Sequence, residues 1–171
     1  MSVTDDLLPL LTMQKALVIT SGWAPDACNG LRFKCAIIDE FQAVMPGVSF
    51  VARCNRTDRP DEQVALNLML EWPKKPRPFA RIDWRGSPHE NRHEKCGEWR
   101  FQDAGRTHFH DPALHVGLGA EEVLGDRQDL WIARPLPEPP DFQRLLAMAA
   151  DLLYIINLSD IPEPPWQRRF V

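Results

Sequence analysis

The sequence predicts an α+β fold, in which a mainly antiparallel sheet of about five to seven strands carries an N-terminal and a C-terminal helix on one face. Segments of alternating apolar and polar residues follow one another from about residue 30 without helical patterns between them. Such strands lack the crossovers that a parallel sheet needs. Before and after these strands, in residues 7–20 and 141–157, apolar residues recur at the spacing of a helix. At 171 residues, the chain has the length of a single domain, residues 1–171.

The N-terminal helix is predicted over residues 7–20, where apolar side chains recur at a helical period and Pro9 falls in the first turn. Alternation then predicts strands in residues 31–38, 46–54, 63–72 and 79–85. Residues 98–102 and 106–110 are two further candidates. The sheet as a whole is predicted to occupy about residues 30–134.

A second helix is predicted over residues 141–157, because Asp141 is a favourable N-cap and an apolar stripe follows it. Residues 161–171 are predicted to be an extended tail, since their prolines disfavour helix. The chain shows no signal peptide and no apolar stretch long enough for a bilayer. Its four cysteines are therefore expected to be reduced, and the protein is expected to be cytoplasmic, without a membrane partner.

The charge of the chain is unevenly distributed. Its formal net charge of −4 argues against a generally basic nucleic-acid binder. Residues 74–106, however, carry nine basic and five acidic side chains, so this stretch is locally positive. A local site for an anion therefore stays compatible with the overall acidity.

Two strands in this part of the chain are predicted to present polar stripes. Successive side chains of a strand point to opposite faces. The stripes are Arg81, Asp83 and Arg85 on one strand and Arg106, His108 and His110 on the other. In a suitable register they would lie side by side on the exposed face of the sheet. Arginine is a permanently charged fork and histidine titrates near neutrality, so such a surface can hold an anion.

The histidines cluster in the same region. All five lie within 27 positions, as His89, His93, His108, His110 and His115. In a first interpretation, His89 with His108 or His110 supplies a general acid and base, as needed for metal-free RNA cleavage. In a second, His108 and His110 bind a transition metal, possible further ligands being His89, His93 and Cys96, with Glu90 or Asp111 as ligand or base. In a third, the cluster is a solvated polar face.

A longer pattern includes these residues and consists of Arg81, Asp83, Gly86, His89, Asn91, His108 and His110. It resembles a bacterial and prophage family known as domain of unknown function 6978, over roughly residues 79–157. The resemblance implies an arginine-aspartate strand, a glycine turn, a His-x-His strand and a C-terminal helix. It also implies a mobile-element or defence setting, as for small toxins, antitoxins or host-takeover proteins.

Taken together, the sequence predicts a small protein whose Arg/His cluster binds and cleaves a phosphodiester in RNA or in a nucleotide. His89, His108 and His110 would transfer protons or ligate zinc or another divalent transition metal. Asp83 would orient a neighbouring side chain, and the phosphate would be held by Arg81, Arg85 and Arg106. The alternative is a non-catalytic inhibitor or immunity partner that uses the basic block to dock nucleic acid or a partner protein.

Overall fold

The computed structural model describes residues 7–27, 30–55, 63–72, 75–115, 124 and 130–166. It confirms the α+β class, with a mainly antiparallel sheet and a C-terminal helix. The strands are β1 (Ala16–Val18), β2 (Ala24–Asp26), β3 (Gly30–Ile38), β4 (Val44–Asn55), β5 (Val64–Glu71), β6 (Pro76–Trp84), β7 (His89–Glu90), β8 (Asp103–Gly105), β9 (His108–His110) and β10 (Arg134–Pro135). The α-helices are α1 (Leu8–Thr12) and α2 (Phe142–Leu153).

Within the described ranges, eight strands form one sheet in the order β1-β3-β4-β5-β6-β9-β10, with β2 also paired to β3. Every one of these pairings is antiparallel. The strands β7 and β8 form a separate two-stranded ribbon. Short 3₁₀ turns cover Glu94–Trp99, Pro112–His115 and Leu158–Asp160.

One face of the large sheet, the inner face, packs against α2. Alternate residues of β3 to β6, such as Phe33, Phe50, Leu66 and Ile82, are fully buried there. The α2 stripe that meets them comprises Phe142, Leu145, Leu146, Ala149 and Leu153. The opposite, outer face carries the polar alternates and includes the predicted site.

The C-terminal helix is shorter than the predicted 141–157. Asp141 caps it as expected, because its side chain accepts a hydrogen bond from the Arg144 N–H at 2.7 Å. The helix ends at Leu153, because Tyr154 takes a left-handed conformation with φ of 53°. Residues 162–166 of the predicted tail form neither helix nor strand, the Trp166 N–H donates to the Pro164 carbonyl at 2.7 Å, and the rest of the predicted 161–171 lies outside the described residues.

The predicted helix over residues 7–20 is wrong beyond its first turns. α1 stops at Thr12, and residues 16–18 instead pair with the end of β3 as an edge strand. The β-branched run Val18-Ile19-Thr20 has a strand preference that competes with the short helical period. Strand pairing with β3 decides between the two.

Lys15 fixes this transition between helix and strand. It is 1% exposed, and its Nζ donates to the carbonyls of Leu10, Leu11 and Met13 at 2.8, 2.8 and 2.6 Å. The last carbonyls of a short helix have no partner within the helix. A buried ammonium group therefore takes the place of a C-cap, although burial lowers the pKa of Lys15 to about 8.

The strand predicted at residues 98–102 is also wrong. The 3₁₀ turn Glu94–Trp99 covers residues 98 and 99, a turn continues through residue 101, and β8 begins only at Asp103. The turn contains Gly97 at φ 54° and ψ −125°, a conformation that favours glycine and breaks any regular strand.

The cysteines behave as the sequence predicts where they are described. Cys35 and Cys54 are buried in the core, Cys96 is buried in the 3₁₀ turn Glu94–Trp99, and all three are free. Cys28 lies outside the described residues. In the described part of the chain, no helix has both the length and the apolar character needed to cross a bilayer.

Candidate functional site

The register between β6 and β9 places the two predicted stripes side by side. Arg81 lies opposite His110, and Asp83 lies opposite His108. Ile82 and Phe109 alternate with these residues and point into the core, which confirms the predicted faces of both strands.

His89 reaches the same place from a different part of the chain. After β6, Arg85 takes a φ of 51°, and the Gly86 N–H donates to the Arg106 carbonyl at 2.9 Å. This turn directs the chain back across the outer face. The ribbon of β7 and β8 then carries His89 over the end of β9.

Three imidazoles meet at this point. The ring centroid of His89 lies 5.1 Å from that of His108 and 4.9 Å from that of His110, and the last two are 5.0 Å apart. One ring nitrogen from each residue lies within 4.8 Å of the others. We call these three residues the His triad. Among the described residues it is a group whose donor atoms are close enough to share one metal ion.

The sequence predicts an exposed cluster, and this prediction is wrong. Asp83, His108 and His110 are only 7%, 3% and 7% exposed. Strand β7 packs the His89 ring against His108 and His110, and residues 130–131 border the same space. Strand alternation shows which face a side chain occupies, but it does not show whether a distant loop covers that face.

Asp83 lies at the base of the His triad. Its Oδ1 accepts a hydrogen bond from Arg81 Nη2 at 2.8 Å. Its Oδ2 faces Nε2 of His108 at 3.3 Å and Nε2 of His110 at 3.7 Å. This buried oxygen makes no regular hydrogen bond within the described structure.

The tautomer of His108 determines whether its contact with Asp83 is attractive or repulsive. Its Nδ1 lies 3.0 Å from the Gly105 carbonyl oxygen, so a neutral His108 carries its proton on Nδ1. Its Nε2 is then an acceptor that faces the acceptor Oδ2 of Asp83. Two acceptors at 3.3 Å repel each other, and a proton or a metal cation beside them removes the repulsion.

Burial keeps two of the three imidazoles neutral. It lowers the pKa of His110 to about 3. Burial, together with the nearby His108, also lowers the pKa of His89, although hydrogen bonds to the Trp131 backbone and to Asn91 oppose this. Burial alone would raise the pKa of Asp83, but His108 and Arg81 together hold it below its ordinary value. The site thus combines two neutral imidazoles, those of His89 and His110, with an ionised carboxylate.

A cavity of about 820 Å³ opens beside the His triad. Its lining includes the triad, Asp83, Arg81 and Trp131. The volume lies in the range of small-molecule sites. The buried triad is therefore reached from solvent through a recess with a permanent positive charge on its wall.

The structure does not bring the other two predicted phosphate ligands to this cavity. Arg85 Nε donates to Glu138 at 2.9 Å, and its guanidinium lies over the Trp84 ring. Arg106 donates to the carbonyls of Gly86 and Arg85 at 2.9 and 3.0 Å. Each fixes the turn after β6, and in the described structure neither lines the cavity.

The further ligands considered from the sequence also have other contacts. His93 stacks on Trp131 with ring centroids 4.3 Å apart, and Cys96 Sγ contacts the Trp131 carbonyl. Glu90 pairs with Arg92. Asp111 pairs with Arg134 at 3.2 Å. Within the described residues, the metal-ligand group thus consists of the His triad.

His115 is a structural histidine. Its Nδ1 lies 2.9 Å from the Asp111 carbonyl oxygen, and its Nε2 accepts the Ile132 N–H at 3.1 Å. Both ring nitrogens of the neutral form are thereby satisfied. His115 therefore holds the segment before β10 in place beside the cavity.

Sequence reasoning missed the role of Asn91. This fully buried side chain accepts the Ala133 N–H at 2.8 Å and donates to the Ala133 carbonyl at 2.9 Å. It thereby holds the segment whose Trp131 backbone bonds His89. The only signal in the sequence is the position of Asn91 two residues after His89 in the family-like pattern.

The low pKa of His110 predicts a pH dependence of stability. In the unfolded chain histidine titrates near 6.5, whereas folded His110 stays neutral to about pH 3. Below pH 6.5 the unfolded state therefore binds the extra proton, and stability falls as the pH falls. Between pH 7 and pH 5 this one residue should cost the metal-free protein about 2 kcal/mol.

Urea denaturation at both pH values measures this loss, and His110→Gln provides the comparison. The variant should lose less free energy of unfolding between pH 7 and pH 5 than the wild-type protein. Since His89 and His115 also have lowered pKa values, some dependence should remain. Equal losses in both proteins would contradict the assigned pKa of His110.

Comparison of the chain with protein-family models, with curated proteins and with solved structures finds no match. The resemblance to domain of unknown function 6978 therefore stays a prediction. The function has to be argued from the geometry and the electrostatics of the site.

Proposed function

We propose that the protein is a metal-dependent phosphodiester hydrolase whose divalent transition metal is bound by the His triad. One observation carries the proposal: a ring nitrogen of each triad histidine lies within 4.8 Å of the other two, and the buried Oδ2 of Asp83 beside them makes no regular hydrogen bond in the described structure. His89 Nε2 is also buried there without a hydrogen-bond partner among the described residues. Unsatisfied acceptors that converge beside a cavity are typical of a metal site.

The hydrogen bonds around the triad support this assignment. His108 uses Nδ1 on the Gly105 carbonyl, and His89 is bonded to the Trp131 backbone. Metal-binding histidines commonly use the second ring nitrogen in this way, which fixes the ring orientation and the tautomer. Neutral imidazoles suit zinc, iron, copper and nickel.

The proposed chemistry combines the triad with two charged residues. His89, His108 and His110 would hold the divalent ion, which would supply Lewis acidity for the hydrolysis. Asp83 Oδ2 would accept the proton of the attacking water, since Arg81 occupies Oδ1 and leaves Oδ2 facing the site. The exposed part of Arg81 would bind the non-bridging oxygens of the phosphate.

Metal-free acid–base catalysis has weaker support. It needs one histidine protonated and another neutral near the working pH. The lowered pKa values of His89 and His110 keep both in the neutral form at pH 7. Neutral, buried imidazoles are better suited to bind a metal than to donate a proton.

The biological setting follows the sequence-based expectation. We place the activity in the cytoplasm of a bacterium, in a mobile-element or defence context. RNA and nucleotides are the proposed substrates.

Metal analysis and hydrolysis assays on the same preparation test the proposal. Protein purified without a histidine tag should contain close to one equivalent of zinc, iron, copper or nickel. It should hydrolyse bis(p-nitrophenyl) phosphate, and 1,10-phenanthroline should abolish the activity until metal is restored. Asp83→Asn should lower kcat by about 100-fold while metal remains bound.

Two outcomes would overturn the proposal. Protein that neither contains nor takes up a divalent metal has no such centre. Protein that binds metal but hydrolyses no phosphodiester is not this enzyme. Either result would favour the alternative, a non-catalytic interaction protein.

A further inference from the structure

Two rows of side chains cross the outer face of the sheet and end at the His triad. The strand registers align Lys34, Val51, Asn67, Arg81 and His110 in the first row. They align Arg32, Arg53, Ala65, Asp83 and His108 in the second. Each row runs at right angles to the strands, from β3 to β9.

These rows carry an excess of exposed positive charge. Arg32, Lys34, Arg53 and Arg81 are exposed. The carboxylate within the rows, Asp83, is buried and already bonded to Arg81. We call the four basic residues the basic track.

One pair in the track is unfavourable without an anion. Arg32 lies directly opposite Arg53 on neighbouring strands and on the same face. Like charges in this position destabilise a sheet. Asp26 approaches Arg53 at 3.3 Å, which offsets part of this repulsion at one end of the track. A bound phosphate would stabilise both arginines.

The dimensions of the track point to a polymer. Neighbouring strands lie about 4.8 Å apart, so the four strand steps from β9 to β3 span about 19 Å. The basic track therefore extends well beyond the cavity that holds the His triad. A mononucleotide in the cavity would leave Arg32 and Lys34 without a contact.

We propose that the basic track binds the backbone of a single-stranded polynucleotide and leads it into the cavity. This inference rests on the proposed phosphodiester hydrolase and specifies the class of its substrate. A single strand is favoured over a duplex, because His108 and His110 are buried and a flexible chain can bend into the recess. The contacts are to phosphate, so they select polymer over monomer rather than one base over another.

The test compares Lys34→Glu with Arg144→Glu, which makes the same change of charge on exposed α2, the helix that packs on the inner face. Fluorescence anisotropy measures binding of metal-loaded protein to phosphorothioate-linked strands of about twelve nucleotides. RNA, DNA and duplex versions of one sequence form separate arms. Lys34→Glu should raise the Kd for single strands by about tenfold. It should also reduce the slope of log Kd against log salt concentration by about one. Arg144→Glu should change neither.

Hydrolysis of bis(p-nitrophenyl) phosphate separates this inference from the proposed function. Arg144→Glu should leave that activity unchanged, because Arg144 lies on α2, away from both the cavity and the basic track. Suppose that the protein hydrolyses the small ester, but that Lys34→Glu binds single strands as tightly as the wild type. The inference that the basic track binds a polynucleotide would then be wrong, and the proposed hydrolase activity would be supported. If single-strand binding depends on Lys34 but the small ester is not hydrolysed, the proposed hydrolase activity is wrong and the basic track remains supported. Preferential binding of the duplex would overturn the single-strand inference.

Discussion

Replacing His89 by alanine should abolish high-affinity metal binding and, with it, hydrolysis. The change removes one of three imidazole ligands, and we expect the Kd for zinc to rise at least about 100-fold. His89 is half-buried and lies on the two-residue strand β7, outside the large sheet, so the metal-free variant should melt close to the metal-free wild type. Zinc should then raise the Tm of the wild type but not that of His89→Ala.

His93→Ala is the matched control for metal content. His93 lies four residues after His89, but it stacks on Trp131 and its Nδ1 accepts the Lys95 N–H. This variant should still bind one equivalent of zinc. If His89→Ala binds zinc as tightly as the wild type, His89 is not a metal ligand, and the proposed three-histidine centre is wrong.

Replacing Asn91 by alanine should lower stability and metal affinity together. The change leaves the buried N–H and carbonyl of Ala133 without their partner. Each loss costs about 1–3 kcal/mol, so the Tm should fall by roughly 5–15 °C. His89 also loses the support of the Trp131 segment, and zinc affinity should fall by about 10- to 100-fold.

Asn157→Ala separates these two effects. Asn157 makes the same pair of bonds to the backbone of Leu17, at 2.7 and 3.1 Å, on the strand at the far edge of the sheet. Its loss should lower the Tm without changing zinc affinity, as isothermal titration would show. A similar decrease in zinc affinity in both variants would mean that Asn91 acts through global stability alone.

Local alternation was sufficient to predict most of the sheet. The strands at residues 31–38, 63–72 and 79–85 agree closely with β3, β5 and β6, because each has one buried face. The wrong secondary-structure predictions fall in segments where the apolar pattern covers only a few residues. Residues 16–20 suit a helix or a strand equally well, and pairing with the distant β3 settles the choice. Such pairing cannot be derived from a local period.

The residues of the site were predictable, but their surroundings were not. Alternation placed Asp83, His108 and His110 on one face, and the density of histidines predicted a functional site in this region. The positions of Arg85 and Arg106 depend on a turn with a left-handed residue, which no local pattern indicated. The contacts of Asn91 depend on a segment 42 residues away.

The contacts around Lys15 have a consequence for the order of folding. The Lys15 N–H donates to the Tyr154 carbonyl at 2.8 Å, and the Ile156 N–H donates to the Lys15 carbonyl at 2.9 Å. Asn157 links to Leu17 across 140 residues of chain. Closing so long a loop is entropically costly, so these bonds should form late. The amides of β1 and of residues 155–158 should therefore exchange with solvent in one shared opening event.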